Sequence, residues 1–600
     1  MFIPLFSRLS SRTALLIVFT IGLALLALTS HHHAGAAAWW VGEKIKLPAL
    51  VRSGWWWGGA ITCFMLGGLI LTHRWWAKSW PAVWPHPRPT LPKWFGWAMV
   101  ACVLLGAGLR VPRLGLSLYN DEAHTFRVHL AGEVPKAHRG DPTKFRSVTW
   151  WSTFYENRAG NQSPLFSGLA RASYDTWRHL TGAPLGTVNE TAMRFPAFLC
   201  GLGSILVMGV LGWRIGGTGP GLIAAFATAC HPWMVRYTSE ARCYGLLLLG
   251  MPLALLFLEA ALRRGRWRDW LGFGACQAFV VITWLGAANF YVGLYFLLFT
   301  IKVKDRRSIF FPAMVAGVFA VSLFFLINFL NFFQFQKSLG DPAFFKTTDP
   351  FPLSWFQAVG QFLALGTAHG TWWFIFWSSV GIGAWRCLKH HGMAYLCLGA
   401  TVGAALLTYT YCSWKGIAFL KWYPIFLLPS LLIILSLSIA KRSPWWTATL
   451  IVALSISWWP GLKEAIFHSK ENLRGAVEIA REVAYPASLQ NPHRTLYGIT
   501  WSESAVYDPS AVSLRTPADL QALVLQARQE NRPLFLSHSL RAVGRTDVAD
   551  LLEMLEDPLQ FQLTTTLPGL DEPGYTHRIY RLTPEPTQSL PGQESLGISP

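Results

Sequence analysis

Two adjacent acids, Asp121 and Glu122, stand in the stretch SLYNDEAHTFR, Ser117 to Arg127, directly after a long apolar run. A carboxylate in that place can take a proton from an incoming hydroxyl, or it can hold structure or a cation. Neighbours on a helix point about 100° apart, so the two acids take different jobs. The stretch is also a good helix start, with Asn120 or Asp121 as cap. Spacing alone leaves base, cap and solvated loop tip open. A second cluster, RYTSEARCYG, places Glu240 and Arg242 between Tyr237 and Tyr244 at the end of another apolar run. A guanidinium matches a phosphate in bidentate fashion, and a structural Glu–Arg pair with aromatic anchoring accounts for the same residues. In SWKGIAFLKWYP, Lys415 and Lys421 are point charges suited to a phosphate or to snorkelling toward headgroups. In ENRAGNQSPLF, Asn161 and Gln162 can hydrogen-bond a sugar, or serve only the turn before Pro164.

The elements that must position these groups follow from composition. The chain has 600 residues, 52% hydrophobic, and only 14% are charged, where a soluble chain carries about a quarter. Several apolar runs of roughly 17 residues or more make it a polytopic α-helical membrane protein. Spans are expected near 12–30, 55–73, 94–111, 194–213, 219–236, 243–262, 269–285, 287–302, 309–330, 371–388, 394–412, 422–440 and 445–461, about 13 in all. The weakest break is GAANFY between 269 and 302. The first span reads as an uncleaved anchor, although AGAAA after it also suits a cleaved signal peptide. The short loops HRWWAKSWPAVWPHPRPTLPK, RRGRWRD, KVKDRR, CLKHH and AKR are all basic, which puts them inside. The outside then receives 112–193, 331–370, 413–421 and 462–600, and with them all four polar clusters.

The net charge of +20 belongs to this positive-inside pattern, and no basic aromatic platform in a soluble segment suits nucleic acid. The 9 cysteines lie in or beside apolar runs without a C-x-x-C pair, and read as small core hydrophobes. His31–His33 lack a carboxylate at helical spacing, and His369 and His390–His391 are read as bland. From Lys463 the chain turns polar. NLRGAVEIAREVA and DLQALVLQARQ have helical periodicity; RTLYGIT, RPLFLSH and HRIYRL read as strands. A small C-terminal α/β domain on the outer face is expected over 462–585, with a Pro/Gly/Ser-rich disordered tail over 586–600. Residues 1–93 supply the first spans and a basic inside loop, and 94–461 the main membrane module.

In order, RVPRLGLSLYNDEAHT, NQSPLF, NETAMRFPAFLCGLGSILVMGVLGWRIGG and GPGLIAAFATACHPWMVRYTSEARCYGLLLL resemble the GT-C class of membrane glycosyltransferases. The nearest branch is the bacterial arm of the protein O-mannosyltransferase and lipid A aminoarabinose transferase superfamily. The likeness is strongest over 94–262, and extends to FLKWYPIFLLP and KENLRGAVEIAREV. It implies a GT-C fold and an inverting transfer of a sugar from a polyprenyl phosphate to a hydroxyl acceptor on a protein, lipid A or a surface glycan. It implies a bacterial inner-membrane location with the site on the periplasmic face. It makes Asp121 the base or acceptor-orienting group with Glu122 beside it, and puts Arg242 near the donor phosphate together with Lys415 and Lys421. Asn161, Gln162, Glu240, Tyr237 and Tyr244 become substrate contacts, and a divalent cation on the acid pair stays open. Two departures stand out: the turn reads NQSPLF without the family's His or Asp, and the late Arg-Tyr is Lys421-Trp422-Tyr423. WWDYG is absent, against whole-oligosaccharide transfer to Asn. The rival reading is a transporter or flippase of lipid-linked sugars, which needs charges along its spans.

Overall fold

The structure is a computed structural model that describes residues 11–76, 82–84, 91–135, 144–157, 163–300, 307–339, 347, 349–366, 372–389, 392–484, 495–540, 546–570 and 575–583. The chain divides into two compact units. The first takes in residues 1–116, 125–132 and 147–468 and is a helical bundle. Each of the thirteen expected segments carries a helix. Among the described residues, however, seven helices are long and apolar enough to cross a membrane by themselves, or eight if the bent pair Arg12–Leu28 and Ser30–Trp40 makes one span.

The shortfall has local causes. The segment expected as 219–236 is broken into Thr218–Cys230 and Pro232–Tyr237. Pro232 has no N–H, so it cannot donate to the carbonyl of Thr228 four residues back. His231 caps the new start, its Nδ1 accepting from Trp233 N at 3.2 Å. The segment expected as 422–440 becomes a 3-10 turn at Tyr423–Leu427, an α-helix at Leu428–Ser436 and a second 3-10 turn at Leu437–Ile439. The weak break near 285 is real: the helix Trp267–Thr283 gives way to a 3-10 turn at Leu285–Ala287 before Ala288–Thr300.

The loop expected over 331–370 is partly helical. The helix Arg307–Leu339 has 33 residues, about 50 Å of rise against a hydrocarbon layer of about 30 Å. Its extra turns bind the end of the short helix Trp150–Tyr155 and the residue two beyond it. Asn331 Nδ2 donates to Phe154 O at 2.9 Å, Gln334 Nε2 donates to Tyr155 O at 2.8 Å, and Gln334 Oε1 accepts from Asn157 N at 2.8 Å. A further apolar helix, Leu353–Leu365, lies in the same expected loop. The core of the bundle forms around Glu190–Gly216, which packs on Thr218–Cys230, Tyr244–Arg264, Lys93–Leu114 and the amphipathic Pro164–Thr181.

The second unit takes in 469–600 together with 117–124 and 133–146. Short strands β1 (Gly132–Glu133) and β2 (Arg146–Ser147) lie within the 112–193 stretch. In the C-terminal segment, β3 (Leu496–Ile499), β4 (Val512–Ser513), β5 (Leu534–Ser539), β6 (Phe561–Leu567) and β7 (His577–Leu582) form one sheet in the order β4-β3-β5-β7-β6. β3 runs parallel to β4 and β5, and β7 runs antiparallel to β5 and β6. Side chains alternate between faces. Leu496, Leu534, Leu536 and Tyr580 pack under the helices Pro517–Gln529 and Thr546–Leu555, while Tyr497, Ile499, Phe535 and Ile579 pack under Leu473–Ala484. The three expected strands are β3, β5 and β7, and both expected helices form. The expected tail over 586–600 lies outside the described residues.

Candidate active site

The acid pair sits at the start of a short helix, Asn120–Thr125, which continues into a π turn at Phe126–Leu130. Glu122 is fully buried, and its Oε2 accepts from Tyr119 N at 3.2 Å. An acid at the third helical position reaching back to the backbone N–H before the helix is the return half of a capping box. Glu122 therefore closes the helix start, and the cap expected at Asn120 or Asp121 falls one residue earlier, at Tyr119. Asp121 is half-buried, and its Oδ1 accepts from Asn120 Nδ2 at 3.1 Å. The peptide around the pair is anchored within its own unit. Ser117 Oγ accepts from Arg474 N at 3.0 Å, Leu118 N donates to Tyr507 Oη at 2.8 Å, and Trp501 Nε1 donates to Asn120 Oδ1 at 2.6 Å. The Lys470 ammonium lies 4.4 Å from the centre of the Tyr119 ring. Further along the sheet, His538 is fully buried, and burial, with His577 and Arg578 adding to it, pulls its imidazole down to about 4.

In the bundle, SEARCY forms part of a buried set of arginines, two of which serve the backbone. Arg110 donates through Nη2 to Thr228 O at 3.0 Å, through Nη1 to Ala229 O and Gly106 O at 2.9 Å, and through Nε to Thr238 Oγ1 at 2.7 Å. Thr228 O is the carbonyl that Pro232 cannot serve, and Trp233 N is already given to His231, so the guanidinium fills the broken helix end. Gly201 makes room for it: a Cβ there would lie 2.6 Å from Thr238 Oγ1 and 3.1 Å from Arg110 Nε. Arg194 does the same for Lys93–Leu114, with Nη1 donating to the carbonyls of Arg113, Leu114 and Leu116.

Two other arginines gather around one acid. Glu240, 2% exposed, accepts at Oε1 from Arg236 Nε at 3.1 Å and lies 3.8 Å from Arg113 Nη2. Its Oε2 has no hydrogen-bond partner among the described residues. Arg113 Nε also donates to Ser239 Oγ at 2.9 Å. Arg242 is not the partner of Glu240. It is buried and donates through Nη1 to Thr125 Oγ1 at 3.3 Å, four residues along the chain from Asp121. Arg113 and Arg236 were not singled out in the sequence. The signal for Arg113 is the spacing RVPR, which puts Arg110 and Arg113 on one face of the span end.

The late loop joins this cluster through aromatic rings. Tyr237 meets Tyr244 with centroids 4.8 Å apart, Tyr244 meets Trp284 at 5.8 Å, and Trp284 meets Tyr423 at 5.0 Å. SEARCY and KWYP thus line one aromatic seam, with Trp284, unremarked in the sequence, as the link. Lys421, beside Tyr423, is half-buried. Lys415 ends the helix Met393–Lys415 exposed, its ammonium 4.1 Å from the Trp414 ring centre, which suits an interfacial anchor. Asn161, Gln162, His369, His390 and His391 lie outside the described residues. His31 and His32 lie on an exposed 3-10 turn. Among the described residues no group of three or more His, Cys, Asp or Glu side chains is placed to hold a metal ion.

Residues 177–327 match the family described as dolichyl-phosphate-mannose-protein mannosyltransferase. The match covers Arg194, Arg236, Glu240, Arg242, Tyr244 and Trp284, and supports the GT-C resemblance. No curated protein matches the sequence. Among solved structures, the chain is similar to ArnT from Cupriavidus metallidurans in the apo state, with 14% identity, TM-score 0.47, and coverage of 81% of this chain and 98% of that chain. The same protein bound to undecaprenyl phosphate gives 13% identity, TM-score 0.46 and the same coverage. The archaeal oligosaccharyltransferase AglB from Archaeoglobus fulgidus, in complex with an inhibitory peptide and a dolichol-phosphate, gives 12% identity, TM-score 0.44, and coverage of 77% of this chain and 72% of that chain.

Proposed function

We propose that this multi-pass membrane protein is an inverting glycosyltransferase that moves a sugar from a polyprenyl phosphate to a hydroxyl acceptor. The observation that supports the reading is that the family match takes in Arg236, Glu240 and Arg242, which with Arg113 from outside the matched stretch make up a buried charged cluster. In the orientation set by the basic loops, with thirteen crossings, that cluster and the Asp121 segment belong to the periplasmic face of a bacterial inner membrane.

The reaction follows from the groups. Asp121 accepts the proton of the acceptor hydroxyl. The hydroxyl oxygen forms its bond to the anomeric carbon from the face opposite the phosphate. The carbon–oxygen bond to the phosphate breaks, and its electron pair leaves on the phosphate, so one displacement inverts the centre. The leaving group gains charge as that bond stretches, and a guanidinium fixed in a low-dielectric setting stabilises it. Arg242 has this role, with Lys421 and Lys415 as the more exposed charges of the donor path. Glu240 orients Arg236 and Arg113 through Oε1 at the substrate side of the cluster. Tyr237 and Tyr244 wall the site, and Asn161 and Gln162 contact the sugar. Glu122 holds the helix start that carries Asp121. The acceptor is a protein, lipid A or surface-glycan hydroxyl.

The rival transporter would need ionisable groups along a path through the spans. Glu259 in Tyr244–Arg264 is instead buried near its helix end, paired with Arg214 at 3.0 Å and with Arg263. The deciding experiment supplies the reconstituted protein with a labelled polyprenyl-phosphate hexose and acceptor glycans, lipids and peptides. The expected outcome is release of polyprenyl phosphate with label in a glycoside of inverted configuration. Label that crosses the bilayer still attached to its lipid would make the protein a flippase.

A further inference from the structure

The C-terminal unit contains a fully buried chain of polar side chains that the proposed reaction does not use. Glu471 is 0% exposed, His577 0% and Ser537 2%. His577 Nε2 lies 2.8 Å from Glu471 Oε1, and its Nδ1 lies 3.1 Å from Ser537 Oγ. A carboxylate only accepts, so Nε2 donates to it. The order Ser–His–Glu matches that of a hydrolytic triad, but burial of all three closes it to any substrate. Ser537 is pinned in β5 opposite Ile579 of β7, in the middle of the sheet.

The use of the chain lies at its other end. The second oxygen of Glu471, Oε2, accepts from Asn120 N at 2.9 Å. Asn120 is the first residue of the helix that carries Asp121. Burying a carboxylate is costly, and hydrogen bonds to its oxygens offset that cost. Here one oxygen is held by an imidazole fixed in the sheet, and the other holds the backbone next to the proposed base. Ser117, Leu118, Tyr119 and Asn120 are held in turn by Arg474, Tyr507, Lys470 and Trp501, and His124 Nδ1 lies 3.9 Å from Glu503. From Ser117 to Asn120 each residue thus has an anchor in the C-terminal segment, roughly 350 residues or more along the chain.

We propose that Glu471, fixed by His577, is a positioning residue for the transfer reaction: it sets the backbone at Asn120, and through it the place of Asp121. On this account the C-terminal segment holds the peptide that carries the proposed base. The proposal rests on the assignment of Asp121 as base, and its test separates the two.

Full-length protein in nanodiscs is compared as wild type, Glu471→Ala and Glu471→Gln, by hydrogen–deuterium exchange and by transfer kinetics. In Glu471→Ala, exchange in the peptide around Asn120 should rise about tenfold or more while β3 and β5 keep their protection. kcat should fall by at least about tenfold with the donor KM unchanged. Glu471→Gln, which keeps an oxygen to accept from Asn120, should recover most of both. If Glu471→Ala does not fold, Trp501→Phe removes one anchor of Asn120 and should show the same two changes in smaller measure. Unchanged exchange at Asn120 overturns the proposal whatever the activity. Raised exchange with wild-type kcat overturns it as well, since the anchoring would then not serve the reaction. A wild type that transfers no sugar counts against the proposed function, and the exchange data still decide whether Glu471 holds the segment.

Discussion

At the scale of the residue, the buried arginines differ in commitment rather than in type. Arg110 and Arg194 are spent on helix-end carbonyls. Arg113 and Arg236 share Glu240. Arg242 meets a hydroxyl, Thr125 Oγ1. Arg242→Ala should therefore cost roughly 100-fold in kcat/KM for the donor, with the acceptor KM unmoved; a variant with unchanged donor dependence would take Arg242 out of the phosphate role. Sequence alone could see Asp121, because two acids after an apolar run are costly and conspicuous. It could not divide the work between Asp121 and Glu122, since the capping bond to Tyr119 N depends on where the helix begins. For Arg242 it left two uses open, a phosphate or a structural pair with nearby Glu240. The fold gives that carboxylate to Arg236, one turn earlier on the chain, and to Arg113 from another helix.

At the scale of the element, the arginines explain how a broken helix survives inside the bundle. Pro232 ends Thr218–Cys230, and the orphaned carbonyls of Thr228 and Ala229 are buried where water cannot serve them. Replacing Arg110 by Met keeps the volume and removes the donors. It should lower stability by on the order of 3 kcal/mol or more, read as a lower melting temperature of the detergent-solubilised chain; an unchanged melting temperature would mean that those carbonyls have another donor. The proline and the arginine are both legible, but their match is not, because 118 residues separate Arg110 from Thr228. Hydropathy placed a helix at every expected span and missed the breaks at 231 and 427. It also missed the extra turns beyond Leu330, where Asn331 and Gln334 are polar but are satisfied by Phe154, Tyr155 and Asn157.

At the scale of the whole molecule, the chain is a membrane bundle and a second unit built round a five-stranded sheet, which also takes in residues 117–124 and 133–146. Composition and the lengths of the apolar runs were enough for the bundle, and period-two patterning for β3, β5 and β7. The strand β6 escaped because only its first residue, Phe561, is buried. The assignment of Ser117–His124 to the C-terminal unit escaped because its bonds run through single backbone N–H groups and a buried carboxylate, which leave no pattern along the sequence. The central claim is that this assembly transfers a lipid-linked sugar with Asp121 as base. Its most direct measurement is single-turnover release of polyprenyl phosphate by wild type and Asp121→Asn, in the same vesicles with the same donor and acceptor. The account predicts that Asp121→Asn inserts normally and binds donor normally, but releases polyprenyl phosphate at least about 100-fold more slowly. Release at the wild-type rate by Asp121→Asn would contradict it.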